Sequence, residues 1–211
     1  FVTVTGSPRL VCMNSQNLDE LSLPQLFSRL SRVVVSDFDG DSDLSGRALR
    51  EQVDRLCGGL EEWGVRRGDR IAVWLPNGVP YIAFLWAAAR LGVVIVSVNT
   101  RFRSSEVTDI VGRSGARLLV VDPSFLGIDF AGILAEVDTQ NLAIEAVVSL
   151  GGPVRGPWPT IGWDELITAA PSDIDRSHPS LPWIVFTTSG TTSTPKLVLH
   201  TQDSPAQHAC D

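Results

Sequence analysis

The sequence predicts an α/β protein, a mostly parallel sheet covered by helices. Three observations carry that reading. Short apolar or β-branched runs at 33–35, 71–75, 93–98, 117–121, 146–150 and 184–187 alternate with stretches of helical periodicity. That alternation at short spacing is the pattern of βαβ units. The composition also suits a packed core: 44% hydrophobic and 19% charged over 211 residues, which argues against disorder and gives ample chain for burial.

Each element follows from local signals. Residues 1–22 show little periodicity and are expected to form an irregular arm. A short helix is expected at 23–30, with Leu23, Leu26, Phe27 and Leu30 on one face. After the strand at 33–35, Asp37-Phe-Asp-Gly-Asp-Ser-Asp43 is a turn, because Asp and Gly tolerate tight backbone conformations. Ser45 is the expected N-cap of a long helix carrying Leu49, Val53, Leu56 and Leu60, with Gly64 at its end. The run 71–75 reads as a buried strand, broken by Pro76-Asn77-Gly78. The helix 81–91 is apolar nearly all round, hence buried, and Gly92 stops it. Ser104 is the expected cap of a helix running through Ser114. A fourth helix is expected at 125–138, a loop at 151–159, a short helix at 163–169 and a last buried strand at 184–187.

Charge and composition narrow the partners. Lys plus Arg total 17 against 24 Asp plus Glu, a net charge of −7. A net negative charge disfavours nucleic acid or an anionic membrane as partner. The most apolar stretch, 82–98, is interrupted by Arg90 and Gly92 and falls short of the ~18 uninterrupted apolar residues of a membrane span. Three widely spaced cysteines, Cys12, Cys57 and Cys210, form neither a disulfide framework nor a metal pair. They fit a reducing, cytoplasmic setting. The chain starts at Phe1 without a charged leader, so no targeting signal is read.

The chemistry concentrates after the last of those runs, in Thr187-Thr-Ser-Gly-Thr-Thr-Ser-Thr-Pro-Lys196, where seven of ten residues carry a hydroxyl. A loop of hydroxyls with one glycine and one lysine suits a polyphosphate. Gly190 lets the backbone approach, its neighbours offer N–H and O–H donors, and Lys196 brings a compact positive charge. Pro195 restricts the loop beside the lysine. Composition alone fits a Ser/Thr linker equally well, but the flanks Ile184-Val-Phe186 and Leu197-Val-Leu199 are apolar, which favours the loop. It is not a Walker A loop, which needs a second glycine and a hydroxyl residue after the lysine.

Residues 186–200, FTTSGTTSTPKLVLH, resemble the phosphate-binding signature of the adenylate-forming (AMP-binding) enzymes, among them acyl-CoA synthetases, luciferases and peptide-synthetase adenylation domains. Thr188, Ser189, Gly190, Thr191, Thr192, Pro195, Lys196 and His200 match that pattern, while Ser193 and Leu197 replace two usual glycines. A second block, 44–121, resembles the N-terminal region of acyl-CoA synthetases through Gly64-Val65, Gly68-Asp69-Arg70, Pro76-Asn77 and the segment 99–103.

The resemblance implies a two-step reaction. ATP and a carboxylic acid, fatty or aromatic, give an acyl-adenylate and pyrophosphate, and CoA then displaces AMP to form a thioester. It implies that Thr188, Ser189, Gly190, Thr191, Thr192, Ser193, Thr194 and Lys196 hold the ATP phosphates. Lys196 is the catalytic candidate, stabilising charge that accumulates on them. Mg2+ would bridge the phosphates, and no metal-binding residue is assigned. By the same comparison, residues 23–211 form a partial N-terminal AMP-binding domain, truncated before its C-terminal part and small lid domain. The chain alone is then expected to be inactive or nearly so. Two alternatives stay open, a non-catalytic α/β nucleotide- or phosphate-binding module and a misread product whose tail, 202–211, departs from the family pattern. The acid and the oligomeric state are open as well.

Other signals carry less. Asp37, Asp39, Asp41 and Asp43 suggest a calcium loop, but Ser42 and Ala48 stand where an EF-hand needs Gly and Glu, so a solvated hairpin turn is expected. A structural or helix-entry role is favoured for His200 over a catalytic one. His178 and His208 lack metal-like partners at short spacing. Cys57 reads as a buried small residue, and Trp74 and Trp86 as core. No G-x-S-x-G marks a nucleophile.

Overall fold

The computed structural model describes residues 3–4, 23–24, 34–36, 43–188 and 195–205. A small antiparallel sheet joins β1 (Thr3–Val4), β2 (Val34–Ser36) and β3 (Asp43–Ser45) in that order. β2 and β3 pair from Val34↔Ser45 to Ser36↔Asp43, so the acidic turn expected between them connects antiparallel strands. Residues 37–42 themselves lie outside the described residues. β1 falls within the arm expected to be irregular and pairs Thr3↔Ser36 and Val4↔Val35. The rest of that arm, and all but two residues of the helix expected at 23–30, lie outside the described residues.

Among the described residues, the main sheet has seven strands. They are β4 (Arg70–Trp74), β5 (Val94–Ser97), β6 (Leu118–Val121), β7 (Ala146–Ser149), β8 (Thr160–Gly162), β9 (Pro182–Thr188) and β10 (Lys196–Thr201). Their spatial order is β10-β9-β5-β4-β6-β7-β8. Each neighbouring pair is parallel except β9 with β10. The helices are α1 (Gly46–Glu62), α2 (Val79–Leu91), α3 (Ser104–Ser114), α4 (Phe130–Ala135) and α5 (Trp163–Thr168).

Side-chain alternation along the strands divides the core in two. Ile71, Val73, Ile95, Leu118, Val120 and Ile184 pack with α1, α2 and α5 on one face of the sheet. Ala72, Trp74, Val96, Leu119 and Val121 pack with α3 and α4 on the other. Covering both faces with helices is what a parallel sheet requires, and the expected α/β class is the observed one.

Most boundaries follow their local signals. Ser45 Oγ accepts from the Ala48 N–H at 3.2 Å and caps α1 as expected, and Gly64, at φ 92°, follows its end. α2 begins at Val79, earlier than expected, because Pro80 suits a first helical turn whose N–H groups have no partner. Gly92, at φ 67°, ends it.

Three expectations need correction, and one strand was not expected. Ser104 is the first residue of α3 and not its cap. The preceding Arg103 N–H is instead taken up by the Glu106 carboxylate at 3.1 Å. The helix expected at 125–138 is broken into a 3-10 turn, Phe125–Gly127, and α4. Asp129 restarts it by accepting the Gly132 N–H at 2.8 Å. β8 had no expectation. β9 is neither last nor wholly buried, since β10 follows it and Phe186 is 43% exposed.

Close backbone packing sets β9 in place. A Cβ on Gly58 would lie 1.9 Å from the Ala170 carbonyl oxygen, and one on Gly59 would lie 2.6 Å from that of Leu166. The glycine pair therefore lets α5 and the strap after it lie directly on α1. Arg90, at the end of α2, clamps the same strap. Its guanidinium pairs with Asp54 and donates to the carbonyls of Ser172 at 2.8 Å and Ile174 at 3.0 Å. At the amino ends of β4, β6 and β7, Arg117 bonds both Asp69 and Glu145. Among the described residues, no helix is long and apolar enough to cross a membrane.

Candidate functional site

β9 pairs with β5 through Ile95↔Ile184 and Val96↔Val185 in parallel register. The chain after Thr188 therefore leaves the sheet at the carboxyl end of the parallel strands, the end where open α/β sheets place their ligands. It returns as β10, antiparallel to β9, with Lys196↔Thr188, Leu197↔Thr187, Val198↔Phe186 and His200↔Ile184 in register. The hydroxyl-rich segment is thus the connection of a β-hairpin, and Thr188 and Lys196 are the last pair of its ladder.

Directly opposed residues in an antiparallel pair present their side chains on one face, Cβ atoms roughly 5 Å apart. Thr188 and Lys196 are both exposed there. The structure brings these two expected site residues together at the base of the loop. The other six, Ser189, Gly190, Thr191, Thr192, Ser193 and Thr194, lie outside the described residues.

The hairpin is anchored on both sides. Trp183 Nε1 donates to the Leu85 carbonyl at 2.9 Å. Gln202, fully buried, donates through Nε2 to the Ala89 carbonyl at 2.9 Å and through its backbone N–H to Leu181 at 3.0 Å. Where the loop re-enters β10, the Pro195 carbonyl accepts from Arg113 Nη2 at 2.7 Å. Arg113 also donates from Nε to Asp109 Oδ1 at 2.8 Å, and that hydrogen bond strengthens its hold on its proton. Sequence reasoning passed over Arg113 and Gln202. Arg113 reads as a cation in the last turn of a helix, and nothing local shows its reach to Pro195.

His200 lies within β10, four residues before helical backbone begins at Ser204. Its ring meets Phe186 edge to face, centroids 5.5 Å apart. This is packing along the strand pair. At the end of β5, Asn99 Oδ1 accepts the Arg101 N–H at 2.9 Å, and the Asn99 carbonyl accepts Trp74 Nε1 at 3.0 Å, fixing the segment 99–103. The Tyr81 hydroxyl bonds Ser97 Oγ at 2.8 Å, and burial raises its pKa. A groove of about 230 Å³ lined by Arg50, Asp54, Trp86, Arg90, Asp173 and Asp175 contains none of the expected phosphate residues.

Exposed hydroxyl and ammonium donors on one face, opening into a loop rich in further donors, fit the oxygens of a polyphosphate. Among the described residues no group of three His, Cys, Asp or Glu could hold a metal ion. Mg2+ is commonly held largely by substrate phosphates and water.

Known proteins resemble this chain in sequence and in fold. The salicyl-AMP ligase / salicyl-S-ArCP synthetase of Mycobacterium tuberculosis is 29% identical over 177 residues, 83% of this chain and 31% of that protein. The mitochondrial medium-chain acyl-CoA ligase ACSF2 of Rattus norvegicus is 29% identical over 170 residues, 70% of this chain and 27% of that protein. The chain thus spans about a third or less of the length of these relatives. In fold it resembles the anthranilate CoA ligase AuaEII solved with anthranoyl-AMP, at TM-score 0.76 and 20% identity over 93% of this chain and 38% of that one. It also resembles a putative long-chain-fatty-acid CoA ligase from Rhodopseudomonas palustris, at TM-score 0.69 and 22% identity over 87% of this chain and 45% of that one. The family model described as AMP-binding enzyme matches residues 28–211, and the chain belongs to that family.

Proposed function

We propose that this chain supplies the ATP-phosphate-binding part of an enzyme that activates a carboxylic acid as its acyl-adenylate and then transfers the acyl group to CoA. The observation that carries it is the pairing of Lys196 with Thr188 at the base of the hydroxyl-rich loop, in a member of the AMP-binding family. In the first step a carboxylate oxygen attacks the α-phosphorus and pyrophosphate leaves, so negative charge grows on the phosphates. Lys196 faces that charge as a compact cation, and Thr188, with the loop residues 189–194, adds hydrogen-bond donors. Mg2+ supplies further charge neutralisation when bound with the nucleotide.

A fatty or aromatic acid is the proposed substrate class, supported by relatives named for salicylate and for medium-chain acyl groups. The CoA step is supported by the acyl-CoA ligase among them. We assign residues 23–211 to part of the N-terminal AMP-binding domain, inactive or nearly so by itself, because the relatives are about three times as long.

The test is calorimetric titration of the chain with MgATP. Saturable binding is expected, and Lys196→Ala should weaken it about tenfold, the loss of one charge-assisted contact. An unaltered affinity in that variant would overturn the site assignment.

A further inference from the structure

We infer that Arg113 is a positioning residue for the phosphate loop, holding the Pro195 carbonyl so that the peptide leading into Lys196 has one orientation. This rests on the reading of residues 188–196 as a phosphate site. Pro195 has no N–H, so its carbonyl is the backbone handle at that point. The Pro195–Lys196 peptide is planar, and fixing its oxygen fixes the plane from which the Lys196 Cα departs.

Arg113 is suited to the task. Its fork of donors lets Nε and Nη2 bond both oxygens of Asp109 while Nη2 also reaches the Pro195 carbonyl at 2.7 Å, across 82 residues of sequence. Asp109 and Arg113 stand one turn apart on α3. The helix beneath them is rigid: Val107, Ile110 and Val111 are buried against the sheet, and Glu106 caps its start. Thr188, on the other side of the loop, is held by its ladder with Lys196. Lysine at 113 would offer one point charge for two acceptors, and is not equivalent.

The experiment compares the full chain with R113A, R113K, K196A and R113A/K196A. MgATP affinity is measured by calorimetry, and amide hydrogen exchange at 196–199 is measured without nucleotide. R113A should bind MgATP about fivefold to tenfold more weakly, with R113K intermediate. In the K196A background the same substitution should add little, since Arg113 acts through Lys196. Exchange at Leu197 and Val198 should quicken in R113A while the rest of the sheet is unchanged. Additive effects of R113A and K196A, or unchanged exchange, would overturn the positioning role. If K196A binds MgATP like the parent, the phosphate reading fails instead, and the exchange measurement still decides whether Arg113 holds the hairpin.

Discussion

Thr188 and Lys196 stand directly opposite each other as the closing pair of an antiparallel ladder, with the hydroxyl-rich loop strung between them. That pairing brings the two described ends of the motif, Thr188 and Lys196, side by side. The lysine cannot drift along the chain relative to the first donors, because five registered pairs lie behind it.

The first prediction comes from exposure. Lys196 is solvent-exposed, so its attraction for phosphate is screened by salt, with a Debye length of about 10 Å at 0.1 M. MgATP affinity should fall as ionic strength rises, and Lys196→Gln should flatten that dependence. Thr188→Val, which removes a neutral donor only, should weaken binding about threefold and leave the salt slope intact. A slope equal in the parent and Lys196→Gln chains would show that the charge read by ATP lies elsewhere.

Much of the architecture was legible because the central strands are buried on both faces. The runs 71–75 and 118–121 are apolar without alternation, and only a doubly covered sheet hides such runs. Legibility fails at the sheet edge. Ile184-Val-Phe186 reads as another buried run, yet Phe186 is 43% and Val198 37% exposed, since composition reports apolarity but not which neighbours arrive. Leu197-Val-Leu199 lacks alternation for the same reason, so β10 went unread as a strand. Of the site, residue types and order were legible; the pairing of its two ends was not, because β10 went unread as a strand and so no hairpin register could be assigned. The hold of Arg113 on Pro195 spans 82 residues and leaves no local mark.

The glycine pair of α1 supplies a second prediction. Helix propensity alone favours Gly59→Ala by up to ~1 kcal/mol. The space does not, since the new Cβ would meet the Leu166 carbonyl oxygen at 2.6 Å and its Cα at 2.8 Å. Overpacking against backbone costs about 1–3 kcal/mol, so the substitution should destabilise the chain, and Gly58→Ala should do so more, at 1.9 Å from Ala170. Urea unfolding of the two variants checks the sign. A gain in stability would mean that α5 and its strap can move off α1.

A third prediction concerns Cys57. Its side chain is fully buried, and burial pushes the thiol up to about 12. The thiolate is the reactive form, so at pH 8 the folded chain should resist alkylation at this position. Peptide mapping after iodoacetamide should find Cys57 unmodified without denaturant and modified in urea, at a rate that follows unfolding. Prompt labelling of the folded chain would contradict the packing of α1 on α2.

The last prediction links α3 to the site through pH. Glu106 lies below its ordinary value of 4.5, chiefly because its carboxylate accepts the Arg103 N–H at the start of the helix. A carboxylate depressed in the folded state contributes stability that is fully present above its unfolded value and is lost as pH falls through its folded value. Unfolding free energy measured in urea from about pH 6 downward should therefore decline in the acid range partly through this group. Glu106→Gln, which cannot ionise, should remove that part of the slope while lowering stability near neutrality. The same variant loosens the start of the helix whose last turn carries Arg113. Hydrogen exchange at Leu197 and Val198 should then quicken in Glu106→Gln, by less than in Arg113→Ala, because the hold on Pro195 is weakened at its base and not removed. An acid slope identical to the parent would show that Arg103 finds another acceptor and that the cap does not bear on α3.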